Sequence, residues 1–327
     1  MSLSKVMSSS ILRNAYFRSQ ALRAMSTSAI QQKEIRNITV IGAGLMGAGI
    51  AQVAAQAQLK VTLVDTTDKA LENGRTIITN SIKRVAKKKH PEDQAKQQEY
   101  IDAAFQNIST TTDSKQAAKD ADLIVEAIVE NIKVKQQLFK DLDAAAPEHT
   151  IFCSNTSSLS VTEIAKATSD KRRQQFAGLH FFNPVPAMKL VEIVRTEELQ
   201  DTVFDQLAEV TKKIGKTPVS CKDTPGFIVN RLLVPYMLEA FRILDRGEAS
   251  PQDVDTAMKL GAGMPMGPIE LADFVGLDTM KFIADGWRET GGIEPSLVTP
   301  VKVLDDLVAE GRLGRKSGKG FYDYTKK

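Results

Sequence analysis

Ile38-Thr39-Val40-Ile41-Gly42-Ala43-Gly44-Leu45-Met46-Gly47 runs from an apolar strand into a GxGxxG turn, and a helical stretch, Ile50 to Ala57, follows. The spacing has a mechanical reason. Gly42 makes the tight turn, Gly44 lets the backbone approach a pyrophosphate, and Gly47 lets the helix pack closely on the strand. Free N–H groups at the helix N-terminus then point at the diphosphate. A second apolar run, Val61 to Val64, ends in Asp65, whose carboxylate suits the adenosine ribose hydroxyls and would repel a 2′-phosphate. Thr66 and Thr67 follow it, with no arginine. The turn residues Gly42, Gly44, Leu45, Met46 and Gly47, together with Asp65, are therefore expected to bind NAD rather than NADP.

Outward from this turn the chain keeps alternating. Apolar runs at Leu123 to Ala127 and Ile151 to Cys153 are separated by helical stretches such as Ile77 to Lys89 and Val134 to Leu142. Strands that are apolar throughout and spaced by helices indicate a parallel sheet covered on both faces, an α/β fold of the doubly wound Rossmann type. Two more strands, Phe176 to Phe182 and Leu190 to Val194, flank Asn183-Pro184-Val185-Pro186, and a helix over Val203 to Ile214 leads to a last strand near Pro218 to Cys221. At Asp223-Thr224-Pro225-Gly226 the strand pattern stops. Helices are expected after it: Phe227 to Leu244, Pro251 to Lys259, Ile269 to Asp273 with its continuation, and Val301 to Ala309. The expected layout is a presequence over 1–30, an NAD-binding domain over 31–222 and a smaller all-helical domain over 223–327.

The 327 residues carry 43 Lys+Arg against 40 Asp+Glu, a formal charge of +3. Four of those cations, Lys5, Arg13, Arg18 and Arg23, lie in the first thirty residues, which hold many serines and no acid. That composition is Arg-rich, Ser-rich and acid-poor, as in a mitochondrial presequence, and predicts the matrix as location. Without those four charges the +3 becomes −1, so the basic balance belongs to the leader. No run approaches the roughly 18 apolar residues of a membrane-spanning helix. Cys153 and Cys221 form no CxxC, and with three histidines and no HExxH neither a disulfide framework nor a metal site is expected.

Oxidising an alcohol with NAD requires a base near neutral pH, and histidine is the best match. His90 and His149 fall in a helix end and a turn, where surface positions are expected. His180, in Gly178-Leu179-His180-Phe181-Phe182-Asn183-Pro184, lies near the C-terminal end of a strand, where open α/β sheets place their ligands. By exclusion it is the candidate base. Glu192 stands between Val191 and Ile193 in the next apolar strand, where an unpaired carboxylate would be costly. A His180–Glu192 pair resolves both positions. From residue types alone it reads equally as a base with its orienting carboxylate or as a structural salt bridge.

Here the chain resembles a known family. Gly178 to Pro186, Lys189-Leu190-Val191-Glu192, Asn155-Thr156-Ser157-Ser158 and Asp223-Thr224-Pro225-Gly226-Phe227-Ile228-Val229-Asn230-Arg231 are similar to the mitochondrial short-chain L-3-hydroxyacyl-CoA dehydrogenases of fatty acid β-oxidation. The resemblance runs from about Ile35 to Tyr324. It implies that His180 is the catalytic base and Glu192 its partner, that Asn230 helps organise the site, and that Ser157 lies near the substrate carbonyl and the nicotinamide. It further implies that Glu130, Lys135, Asn183 and Lys316 contact NAD, and that Ser81 and Lys88 contact coenzyme A. The last two sit in a basic stretch with Lys83, Arg84, Lys87 and Lys89, about two helical turns apart on one face. That run is short and lacks interleaved aromatics, so nucleic acid is not an expected partner. The resemblance also suggests a homodimer through the helical domain, with Leu232, Leu233, Val234, Tyr236, Met237 and Leu238 as candidates. Two rival functions stay open: a dehydrogenase of free 3-hydroxy acids, and a non-catalytic NAD-binding protein of the lens-crystallin kind.

Overall fold

The computed structural model describes residues 34–325. Eight strands form one sheet: β1 Asn37–Ile41, β2 Lys60–Val64, β3 Ile108–Thr111, β4 Leu123–Glu126, β5 Ile151–Ser154, β6 Phe176–Phe181, β7 Leu190–Arg195 and β8 Thr217–Lys222. Their order is β3-β2-β1-β4-β5-β6-β7-β8. The first six run parallel, while β7 lies antiparallel to β6 and parallel to β8. Helices α1 Leu45–Gln56, α2 Asp68–Lys89, α3 Gln94–Phe105, α4 Ser114–Ala118, α5 Ile132–Asp143, α6 Val161–Ala165, α7 Asp170–Arg173 and α8 Asp201–Lys213 connect them. This is the doubly wound, mostly parallel sheet that the apolar runs predict.

The central strands read as unbroken apolar runs because both faces are covered. Leu123, Ile124, Val125, Phe152 and Phe176 are all buried. Phe139 of α5 packs on Phe152 and Phe176 with ring centroids 5.7 and 4.6 Å away, closing the core on one face. β3 and α3 are not anticipated by the periodicity. Ile108 alone of the four β3 residues is buried, as suits an edge strand, and α3 buries only Ile101 and Ala104 of twelve residues. α1 begins at Leu45, straight after the glycine turn and five residues earlier than the apolar pattern indicates.

Beyond β8 the chain is helical: α9 Val229–Asp245, α10 Pro251–Gly261, α11 Pro268–Val275, α12 Leu277–Thr290 and α13 Lys302–Ala309. Their core gathers Val234, Met237, Leu238, Phe241, Ile269, Met280, Trp287 and Leu304. This corrects part of the expected dimer surface. Val234, Met237 and Leu238 are core of their own domain, Leu233 and Tyr236 pack against it, and of the six only Leu232, 69% exposed, faces outward. Among the described residues no helix is long and apolar enough to cross a membrane. The leader at 1–30 lies outside the described residues.

Candidate active site

Cross-strand register brings the polar residues to the C-terminal edge of the sheet. Ile41, which precedes Gly42, pairs with Glu126; Glu126 pairs with Ser154, Ser154 with Gly178, and His180 with Glu192. In an open parallel sheet this edge, at the point where strand order reverses between β1 and β4, is where ligands sit.

Two glycines of the turn have no substitute. Gly42 has φ +104°, and a Cβ there would lie 2.5 Å from the Ala127 carbonyl oxygen. A Cβ on Gly47 would lie 1.7 Å from the carbonyl oxygen of Gly42, so α1 could not approach β1. Gly44, the N-cap of α1, differs: a Cβ there meets no protein atom within 4 Å and would project into open space. The helix N-terminus has no side-chain cap and no acid in its first turn. Its first N–H groups lack intrahelical partners and suit an anion. Asp65 accepts hydrogen bonds from Ala43 N–H (2.7 Å) and Thr66 N–H (2.7 Å), which fixes its carboxylate beside the turn. These residues fit a dinucleotide: a backbone cradle for the diphosphate, a cleared Cβ position, and an anchored carboxylate for the ribose.

At the end of β6, His180 Nδ1 and Glu192 Oε2 lie 2.7 Å apart, both side chains buried. The other Glu192 oxygen accepts from Ile228 N–H (3.1 Å) and Val229 N–H (2.9 Å) at the start of α9. Burial alone would raise the Glu192 carboxyl, but the hydrogen bonds from His180, Val229 and Ile228 outweigh it and hold the group below the ordinary glutamate value. An ionised carboxylate can only accept, so Nδ1 carries the hydrogen and Nε2 of the neutral ring carries the lone pair. Phe182 and Phe227 hold the imidazole, at 4.5 and 5.5 Å between ring centroids. Phe227 takes φ +52° to do so, a conformation unusual for a bulky side chain.

Ser157 sits on the turn after β5. Its N–H donates to Glu130 Oε1 (3.0 Å), and its carbonyl accepts from Asn230 Nδ2 (3.4 Å). Asn155 Oδ1 accepts from Phe181 N–H at 2.8 Å, tying the same turn to the strand that carries His180. Asp223 accepts from Ser160 Oγ (2.8 Å), Val161 N–H (3.0 Å) and Thr162 N–H (2.8 Å), fastening the turn's far end. His180–Glu192 and Ser157–Asn230 are thus two hydrogen-bonded pairs linked through the start of α9 and the Asn155–Phe181 bond.

The other expected residues divide. Asn183 is exposed on the β6–β7 connection. Glu130 has a side chain 29% exposed, whereas Lys135 is 1% exposed with its ammonium between Glu126 (2.5 Å) and Glu130 (3.2 Å). Here the Lys135 ammonium is held by two carboxylates. Lys316 belongs to the helical domain and pairs with Asp278 at 2.5 Å. On α2, Lys88 is exposed and Ser81 half-buried; among the described residues, Lys83, Lys87 and Lys88 are in no salt bridge. Missed from sequence were Glu126, the Phe227 and Phe182 contacts with the imidazole, and the α9 amides on Glu192. The signal for Glu126 was there: an acid inside an apolar strand, the same one that singled out Glu192.

A doubly wound sheet with a dinucleotide cradle, followed by a helical domain whose first helix completes the polar site, defines the class of NAD-dependent dehydrogenases. Residues 37–224 match the family described as "3-hydroxyacyl-CoA dehydrogenase, NAD binding domain" and residues 226–324 its "C-terminal domain". The pig protein named "Hydroxyacyl-coenzyme A dehydrogenase, mitochondrial" is 54% identical over 307 residues, 93% of this chain and 97% of that one. A Caenorhabditis elegans probable 3-hydroxyacyl-CoA dehydrogenase is 55% identical over 93% of this chain and 97% of its own. Among solved structures, the (S)-3-hydroxybutyryl-CoA dehydrogenase of Ralstonia eutropha superposes with a TM-score of 0.82 at 39% identity, covering 90% of this chain and 100% of that one. The chain belongs to the 3-hydroxyacyl-CoA dehydrogenase family and is an NAD-dependent enzyme of fatty acid oxidation.

Proposed function

We propose that the protein oxidises L-3-hydroxyacyl-CoA to 3-oxoacyl-CoA with His180 as general base. The observation that carries this reading is the buried His180–Glu192 contact of 2.7 Å, which leaves Nε2 as the free acceptor. His180 Nε2 takes the proton of the C3 hydroxyl, and Glu192 holds the ring tautomer and offsets the charge of the resulting imidazolium. Bound NAD supplies the acceptor for the C3 hydride. Ser157 and Asn230 flank the reacting carbons, Glu130, Asn183 and Lys316 complete the cofactor site, and Lys135 contributes through Glu130. Ser81 and Lys88 hold the phosphates of coenzyme A, supported by the unpaired cations along α2. The layout 31–222 and 223–327 is the matching division of labour, with a homodimer through the helical domain. The matrix location is supported by the acid-poor leader and by relatives named as mitochondrial.

NADH formation should be followed with L- and D-3-hydroxybutyryl-CoA and with free 3-hydroxybutyrate. Turnover is expected with the L-thioester, none with the D-thioester, and far less with the free acid. Equal rates on the free acid would favour a hydroxy-acid dehydrogenase, and tight NAD binding without turnover would favour the non-catalytic rival.

A further inference from the structure

We infer that Glu126 is a positioning residue for the dehydrogenation, acting through Lys135 and Glu130 on the turn that carries Ser157. It rests on the reading above only for the role of Ser157. Glu126 ends β4 with its side chain 0% exposed, and both carboxylate oxygens are engaged. Oε1 accepts from Lys135 Nζ (2.5 Å) and Ile128 N–H (2.7 Å); Oε2 accepts from Ser154 Oγ (2.6 Å).

Two routes lead from it to the same turn. In the first, Ser154 Oγ accepts the Thr156 N–H at 3.2 Å. In the second, Lys135 holds Glu130 Oε2 at 3.2 Å, and Glu130 Oε1 gathers the Ser157 N–H (3.0 Å), the Ser158 N–H (3.2 Å), Ser158 Oγ (3.1 Å) and Thr156 Oγ1 (2.5 Å). A buried ammonium between two carboxylates takes a position set by the balance of both, the stronger pull coming from Glu126, where water is excluded, and the weaker from the part-exposed Glu130. Removing the Glu126 charge leaves Lys135 to Glu130 alone, and the oxygen that fixes Ser157 must move with it. The competing explanation is an ion pair that only fastens α5 to the sheet. That role would lower thermal stability and leave the folded enzyme's kcat unchanged.

A double-mutant cycle separates the two. Glu126→Gln, Ser157→Ala and the double variant are compared for kcat, KM for acyl-CoA, Kd for NADH and Tm. Glu126→Gln should lower kcat roughly tenfold, the usual scale for disturbing a group that orients a working residue. In the Ser157→Ala background it should lower kcat by no more than about twofold, because the route then positions a turn that no longer carries the Ser157 hydroxyl. If Ser157→Ala is slow and Glu126→Gln slows it by the full factor again, the inference is overturned and the role of Ser157 stands. Wild-type kcat in Ser157→Ala would overturn that role and this inference together. Should Glu126→Gln fail to fold, Glu126→Asp keeps the buried charge but draws it back from Lys135 by one methylene and is used in the same cycle, with a smaller but equally non-additive loss expected.

Discussion

At the end of β1 the chain offers a ligand its backbone, and at the end of β6 its side chains. The glycine turn works by what it lacks: two Cβ atoms that would strike carbonyl oxygens at 2.5 and 1.7 Å, and a capping side chain. The His180–Glu192 pair works by what it buries, an imidazole and a carboxylate joined across an antiparallel ladder and held by two further amides. A backbone site tolerates any change that leaves its path intact. A buried pair tolerates almost none at its own atoms, because each partner's burial is acceptable only while the other is present.

Breaking the side-chain half should have the largest effect. His180→Gln keeps the bulk and removes the proposed base, and kcat should fall by about a thousandfold, within the range of general-base catalysis. NADH binding, measured by fluorescence titration, should stay within a few-fold of wild type. Near-normal turnover would reject His180. Breaking the backbone half should do the reverse. Gly47→Ala pushes α1 off β1, and the affinity for NAD should drop by roughly tenfold or more, since a displaced helix N-terminus loses its anion geometry. With NAD saturating, kcat should be largely recovered; a kcat defect as deep as that of His180→Gln would show that the two regions are not separable.

The smallest effect concerns acid stability. Burial works to raise Glu192 and Glu130, yet hydrogen bonds from His180, Val229 and Ile228 on the first, and the Lys135 charge with hydrogen bonds from Thr156 and Ser157 on the second, hold both below the ordinary value of 4.5. The unfolded chain therefore binds these protons more readily than the folded one. Their stabilisation is present above about pH 4.5 and drains away as pH falls through the folded values. Scanning calorimetry should show Tm declining below that pH, and Glu192→Gln should flatten the decline while lowering Tm at neutral pH. An identical acid limb in both proteins would remove Glu192 from the account.

The same contrast explains what could be read from sequence. Gly42, Gly44 and Gly47 were legible because each has a backbone reason at a fixed spacing, and the strands around them because burial on both faces leaves unbroken apolar runs. His180 and Glu192 were legible as a pair only because acids and histidines are rare inside such runs. β3 escaped because an edge strand needs one buried residue, Ile108, and Ile108-Ser109-Thr110-Thr111 looks like loop. Lys135 could be named by resemblance, but its burial could not, since the partner carboxylate Glu126 lies nine residues away on another element. Half of the expected dimer stripe was core because helical periodicity shows that a face is apolar without showing what covers it.

Glu192 is also a joint. One oxygen is bonded to His180 and the other to the first amides of α9, so the carboxylate pins the sheet to the helical domain like a rivet through two plates. Any tilt of α9 that preserves those two bonds must swing about this point. Asn230 lies one residue past the second of those amides, and Asp245 at the far end of a helix about 25 Å long at 1.5 Å per residue. The orientation of the imidazole is therefore set from both sides at once, and a change at the start of α9 reaches His180 through a single carboxylate.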